Sequence, residues 1–356
     1  MKTPFLLICC VISAVGMSLG VCMASVQTSE TSPVANYSES KPYEPRVLPT
    51  HKQTKKDAKP KQDDKTKNPR AKLPSTVIAE PKPLSIPISV FDNAGMFVTG
   101  LHPSDFKVFI DNQEQAIASV EVQREPISFI LVFDVSPSTQ SRTKEMQQWA
   151  RDLITQFQPD DKAMVVSFSE KTSVLTDLTS DRAKIEKAIV TLKLEDGTSL
   201  YETIDELFRK HLAAITGRKA VIIFSDGVDT TSRRATYESS LIEAEKADAA
   251  IYSIYWNTVN DMTPLPGLVA MSLRRSQTGR WYLNDLISIS GGRGISVENV
   301  KKGNFVLPVG IPQELHDQYV LTVPRPTGET VGQRRKISVR VMRPNVFLLA
   351  RGSYIP

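Results

Sequence analysis

Cysteine is scarce in this chain of 356 residues: there are three, Cys9, Cys10 and Cys22, all within the first 22 positions. Once that segment is removed the chain has no thiol for a disulfide or a thiolate metal site, so a packed core must stabilise it. The 17 glycines and 23 prolines are too few and too unevenly spread for a collagen-like or wholly low-complexity chain. No second long apolar run follows the one at the N-terminus, which excludes a polytopic helical membrane protein. A Gly-x-x-x-x-Gly-Lys-Ser/Thr loop is missing, and so is a Gly-x-Ser-x-Gly elbow. Their absence removes a P-loop nucleotide site of the usual form and a serine-hydrolase nucleophile. The four histidines, His51, His102, His211 and His316, lie in a polar tract, beside a turn, or at or near helix ends, and read as surface residues.

The segments that are present differ sharply along the chain. Lys2 precedes an almost entirely apolar stretch from Phe5 to Val21, and Cys22-Met23-Ala24 sets small residues at the -3 and -1 positions of a cleavage site. Residues 1–24 are therefore expected to be a signal peptide cleaved after Ala24, sending the protein to the periplasm, cell envelope or exterior. Lipid anchoring at Cys22 would call for a small residue before it, and Val21 is branched and bulky. Residues 25–80 are rich in Lys, Pro, Ser, Thr, Asp and Gln and read as a disordered tether. Eleven Lys/Arg and four acids between Lys41 and Lys72 give a net +7, which leaves the chain beyond this stretch and Lys2 at -3 against a total of +5. Basicity thus belongs to the tether, and no nucleic-acid-binding domain is implied. The tether is either a solvated spacer or a contact for anionic cell wall or lipid headgroups.

Order is expected from Leu84. Alternating apolar and polar residues at Ser85–Phe91, Phe106–Ile110 and Ala116–Val122 mark short strands with turns at Asp92-Asn93-Ala94-Gly95 and Asp111-Asn112. The pattern returns at Gln318–Val323, at Lys336–Val341 and in a last apolar run ending at Tyr354. Between these flanks the pattern changes. Ile127–Phe133, Met164–Val166, Ala220–Phe224 and Ala250–Trp256 read as buried parallel strands. Helical spacing marks Lys144–Phe157, Arg182–Leu192, Tyr201–Ala214 and Thr236–Ala247. The expected fold is α/β, with a doubly wound, mostly parallel sheet over residues 126–315. It is inserted into a small β-sandwich-like domain built from residues 84–125 and 316–356, since neither flank alone has enough strands to cover its apolar faces.

Ligands of an open α/β sheet bind beyond the carboxyl ends of its strands, where three loops carry oxygen donors. They are Asp134-Val135-Ser136-Pro137-Ser138, Asp196-Gly197-Thr198-Ser199 and Ser225-Asp226-Gly227-Val228-Asp229. Asp134, Ser136 and Ser138 share a parity, so an extended loop would aim all three at one point. Two carboxylates and three hydroxyls, with Thr198 and Asp226 added, make a hard-oxygen donor set suited to Mg²⁺, Mn²⁺ or Ca²⁺. Two carboxylates would just neutralise such an ion, leaving it electrophilic toward water or an incoming carboxylate. Asp229 is a secondary candidate.

At these residues the chain resembles von Willebrand factor type A domains, in the metal-ion-dependent adhesion site that their Asp-x-Ser-x-Ser loop, distant threonine and later Asp-Gly make up. Over Leu84–Pro356 it resembles the secreted type A-related proteins typical of acidobacteria, through Val98-Thr99-Gly100-Leu101, Asp105–Phe109 and the strand Gln318–Leu321. The resemblance implies that Ser136, Ser138 and Thr198 contact a metal, with Asp134 and Asp226 near it directly or through water. It also implies a non-enzymatic binding protein whose partner is a protein presenting Asp or Glu. Pro137 and Thr139 stand where the family usually has Gly and often Met, and Pro137 should push Ser136 into an extended conformation. Pro308 and Pro312 should leave the last helix of this part short or broken.

Blander readings stand beside this one. Ser138, Thr198 and Asp226 are each common helix-cap or turn residues. A degenerate site would leave a metal-independent scaffold that binds through its β-domain or through the segment 257–280. An apolar strand ending in Asp also resembles a haloacid-dehalogenase-like phosphatase, but the general-acid Asp such enzymes need two positions later is Ser136 here. Gly291-Gly292-Arg293-Gly294 reads as a helix cap and turn and not as a phosphate cradle. Trp281 and Tyr282 are expected in a helix core.

Overall fold

The computed structural model describes residues 83–258, 269–297 and 310–356. The tether and the signal segment lie outside the described residues. The central strand β5 (Ile127–Asp134) is buried along its whole length, as its apolar run Phe129–Phe133 requires. It pairs in parallel with β6 (Lys162–Phe168) on one side and β8 (Arg218–Ser225) on the other. β8 pairs in parallel with β9 (Ala250–Tyr255), and β9 with the short β10 (Gly294–Ser296). β7 (Thr172–Thr179) closes the other edge antiparallel to β6, giving the order β10-β9-β8-β5-β6-β7.

Strand alternation divides the interior in two. Phe129, Leu131 and Phe133 face α1 (Thr143–Ile154), α2 (Arg182–Val190) and α6 (Ile311–His316). Ile130 and Val132 face α3 (Leu200–Glu206), α4 (Tyr237–Lys246) and α5 (Val269–Ser290). On α1 the buried side chains Met146, Trp149, Ala150 and Leu153 recur at intervals of three and four, the spacing of one helical face. Helices thus cover both faces of a mostly parallel sheet, which is the doubly wound arrangement.

Two four-stranded sheets complete the fold, and each draws strands from both sides of the α/β layer. One has the order β13-β1-β11-β4, from β1 (Leu84–Asp92), β4 (Ser119–Val122), β11 (Tyr319–Val323) and β13 (Val346–Ala350). The other has the order β14-β12-β2-β3, from β2 (Phe106–Ile110), β3 (Gln113–Gln115), β12 (Arg335–Val341) and β14 (Ser353–Tyr354). Ile86, Ile88, Phe106, Val108, Leu321 and Ile337 share one core. Asp111 and Asn112 turn between β2 and β3 at φ 48° and 68°, the left-handed pair that a two-residue hairpin needs. Among the described residues no helix is long and apolar enough to cross a membrane.

Several expectations need correction. The segment 257–280 is not one insertion: from Val269 it is the first half of α5, and residues 259–268 lie outside the described residues. Tyr282 is core, but Trp281 is 44% exposed, because one helical step carries it off the buried face. His316 is not a surface residue. It is 6% exposed and its Nε2 lies 2.8 Å from Asp161 Oδ2. β7 was not foreseen, since its threonines and half-exposed positions carry no continuous apolar run. In its described part the last helix is short, six residues, with Pro312 in its first turn; residues 304–309 lie outside the described residues.

Candidate metal centre

Asp134 is the last residue of β5 and has no exposed surface. Its Oδ1 accepts the Ser136 amide at 3.0 Å and its Oδ2 accepts the Ser225 hydroxyl at 2.7 Å. Asp226 follows β8 and is 1% exposed. Its Oδ1 accepts the Val228 amide at 3.0 Å, its Oδ2 accepts the Thr258 hydroxyl at 2.8 Å, and the Ser138 hydroxyl also donates to it. Burial, and then the charge of Asp226, pushes the Asp134 carboxyl up to about 7. Asp226 is raised as well, chiefly by burial, against the pull of its hydrogen bonds.

The serine loop converges by a turn and not by extension. Ser136 is extended, φ -68° and ψ 161°, as a residue before proline should be. The chain then enters a 3-10 helix, Pro137–Arg142, with proline in its first turn, where a missing amide costs nothing. Strand parity therefore ends at Ser136, yet the turn still brings Ser136 Oγ and Ser138 Oγ to 3.1 Å. Thr139 fastens the turn, donating its hydroxyl to the Asp134 carbonyl at 2.9 Å and to the Ser136 carbonyl at 2.8 Å.

Thr198 enters from the loop before α3 and is 5% exposed. The Thr230 and Thr231 amides donate to its carbonyl at 2.8 and 3.0 Å, and its own amide donates to Thr231 Oγ1 at 3.1 Å. Asp229 belongs to this scaffold: its carboxylate accepts the Tyr201 amide at 2.9 Å and the Ser232 hydroxyl at 2.6 Å. Ser138, Thr198, Asp226 and Thr258 line one cavity of about 300 Å³. Ser136 and Asp134 lie just beneath, through the hydroxyl contact and the charge coupling given above.

Thr258 escaped the sequence reading and Ser225 was named only as part of its loop, although each holds one carboxylate oxygen of the pair. Their position at the carboxyl ends of β8 and β9 is the signal that would have found them.

The donor set fits a hard divalent cation. Two fully buried carboxylates sit together, and hydroxyls and backbone amides fill their surroundings. Among the described residues no cationic side chain is a main influence on either one's charge. Nor do the described residues place three or more His, Cys, Asp or Glu together for a metal ion, so an ion here would rest on two carboxylates and on hydroxyls.

Residues 129–228, a span containing all five candidate residues, match the family described as von Willebrand factor type A domain. The protein carries a von Willebrand factor type A domain. Similar solved structures include the conserved hypothetical protein BatB from Bacteroides thetaiotaomicron, 16% identical, covering 49% of this chain and 91% of that one with a TM-score of 0.36. Another is the von Willebrand factor domain of the type V pili tip protein Mfa5 from Porphyromonas gingivalis, 13% identical, covering 49% and 90% with a TM-score of 0.33. A third is proximal thread matrix protein 1 from the mussel byssus with a zinc-occupied MIDAS motif, 16% identical, covering 56% and 48% with a TM-score of 0.41. No curated protein matches the chain significantly.

Proposed function

We propose that this is an exported, non-enzymatic binding protein whose type A domain engages an acidic residue of a protein partner through a divalent cation. Asp134, Ser136, Ser138, Thr198 and Asp226 would hold the ion, Mg²⁺ or in its place Mn²⁺ or Ca²⁺. When bound it would supply charge compensation for the two carboxylates and an electrophilic position for a partner carboxylate. The domain, residues 126–315, is carried on a β-sandwich from residues 84–125 and 316–356, with the basic tether and signal segment ahead of it.

One observation carries this reading: two carboxylates, 0% and 1% exposed, lie near enough for the charge of one to act on the other, and among the described residues no basic side chain is a main influence on either. Burying such a pair is unfavourable unless a positive charge compensates it. The surrounding groups act to keep the pair in place. Ser225 and Thr258 orient one oxygen of each carboxylate, Thr139 and Pro137 stiffen the serine turn, and the Thr230-Thr231 amides set the height of Thr198. A phosphatase reading gains no support, since Ser136 occupies the place of a general acid.

Titration calorimetry and thermal shift on the wild-type protein should give saturable uptake of Mg²⁺ or Mn²⁺ with a rise in melting temperature. Both should vanish in Ser136→Ala/Asp226→Ala. If the wild type shows no uptake of Mg²⁺, Mn²⁺ or Ca²⁺ at millimolar concentration, the proposal fails.

A further inference from the structure

The first half of α5 runs along the rim of the candidate metal centre, and its position there is set by two glycines. Gly279 packs against the Asp226-Gly227 turn so closely that a Cβ on Gly279 would stand 2.6 Å from the Gly227 carbonyl carbon. This contact holds the preceding turns of α5 over the site: Ser272, Arg275 and Ser276 line the same cavity as Ser138, Thr198 and Asp226. A second cavity, of about 200 Å³, has Asp229, Met271, Arg274, Arg275 and Thr278 in its lining. Arg275 belongs to the lining of both cavities, which are therefore neighbours.

Arg274 and Arg275 are exposed. Neither guanidinium has an ion pair or hydrogen bond among the described residues. Several other surface arginines are held by carboxylates, among them Arg209 by Asp205 at 2.7 Å, Arg234 by Glu202 at 3.1 Å and Arg343 by Asp105 at 3.0 Å. The opposite rim carries the other sign. The Glu170 side chain lies over Gly197, beside Thr198, and Glu195 and Asp196 follow on the neighbouring loop. With a divalent ion balancing Asp134 and Asp226, the charges left on the α5 side are two arginines against Asp229, which is held by the Tyr201 amide and the Ser232 hydroxyl, so one positive charge remains in excess.

We infer that Arg274 and Arg275 form a second acid-reading subsite, so that the partner segment carries two acidic side chains a few residues apart. One goes to the cation and the other to the arginines. This rests on the cation-bridged reading for the first acid, while the second depends only on charge complementarity along α5. The acidic rim at Glu170 and Asp196 fixes the direction in which the segment lies, since it repels the second acid from the other side.

The test uses the full chain and two synthetic octapeptides of glycine and serine, one carrying a single aspartate and one carrying two aspartates two positions apart. Binding is followed by calorimetry in Mg²⁺. Wild type should bind the two-acid peptide about fivefold more tightly than the one-acid peptide, with an advantage that shrinks in high salt. Arg274→Gln/Arg275→Gln should lose that advantage, while its Mg²⁺ uptake tightens slightly as positive charge leaves the rim. Equal affinity of wild type for the two peptides, failure to bind either one, or an advantage retained by the double variant overturns the inference. Two-acid preference that needs the arginines but not Mg²⁺ keeps this subsite and removes the cation reading. Mg²⁺ uptake without the preference does the reverse.

Discussion

The two ends of the central sheet bury acidic groups in opposite ways. Toward the amino ends of the strands, Asp161 accepts the Ile127 and Gln158 amides and meets His316, while Glu314 is bonded to the Tyr252 hydroxyl at 2.8 Å and to Arg293 at 2.9 Å. Burial raises Glu314, and Arg293 and Tyr252 work against that rise. At the carboxyl ends, Asp134 and Asp226 have hydroxyls and amides for company. Asp161 and Glu314 at one end each have a basic side chain from the chain itself, and at the other end hydroxyls and amides stand around Asp134 and Asp226 instead. The former arrangement is a joint, tying α6 to β9 and to the loop before β10. The latter is the candidate metal centre.

The largest effect that would sharpen this contrast comes from breaking the joint. Arg293→Met leaves Glu314 buried without its cation, and chemical denaturation should register a loss of about 3 kcal/mol. A loss below about 1 kcal/mol would mean that Glu314 is not held as an ion pair. Next, Gly279→Ala forces α5 away from Gly227 and should cost about 2 kcal/mol. It should also weaken Mg²⁺ uptake, because the Asp226 turn is what α5 presses on. Unchanged stability would mean the helix shifts freely there.

Asp226→Asn should move in the opposite direction. In cation-free buffer it relieves the buried carboxylate pair and raises stability by about 1 kcal/mol, while Mg²⁺ no longer raises the melting temperature. A variant less stable than wild type without cation would place Asp226 with the self-compensated acids of the other end.

The smallest effect belongs to Glu202, whose carboxylate accepts the Arg233 and Arg234 amides at 2.7 Å and pairs with Arg234. The two amides first, and then the Arg234 side chain, lower it from 4.5 to about 2. A depressed acid stabilises the fold fully above its unfolded value and loses that contribution as pH falls toward its folded value. Wild type should therefore lose about 1 kcal/mol relative to Glu202→Gln between pH 5 and pH 2. Parallel pH profiles of the two proteins would refute this.

The contrast also explains what was legible in the residues alone. The α/β fold was readable because Ile127–Phe133 is apolar at every position but Ser128 and is buried at every position. The loop hydroxyls were readable because they sit within a few residues of their strands. The joint was invisible: His316 finds Asp161, and Glu314 finds Tyr252, across separations of 155 and 62 residues, and no local pattern announces such partners. Thr258 was missed for the same reason, since its bond to Asp226 spans 32 residues. The first half of α5 escaped because Val269, Met271 and Leu273 face outward, which blurs the helical spacing a buried face would give.

The two β-sheets have a consequence in time. β1 lies between β11 and β13, with Leu84 opposite Val323 and Asp92 opposite Val346. Its partners follow the whole α/β layer in the chain, so β1 stays without a strand partner until the two chain ends are brought together, while β2 and β3 can pair at once. The α/β layer has its own core and is free to fold first. Its folding shortens the loop that the late pairing must close, lowering the entropy cost of that step. Assembly of this protein thus runs from the middle of the chain outward.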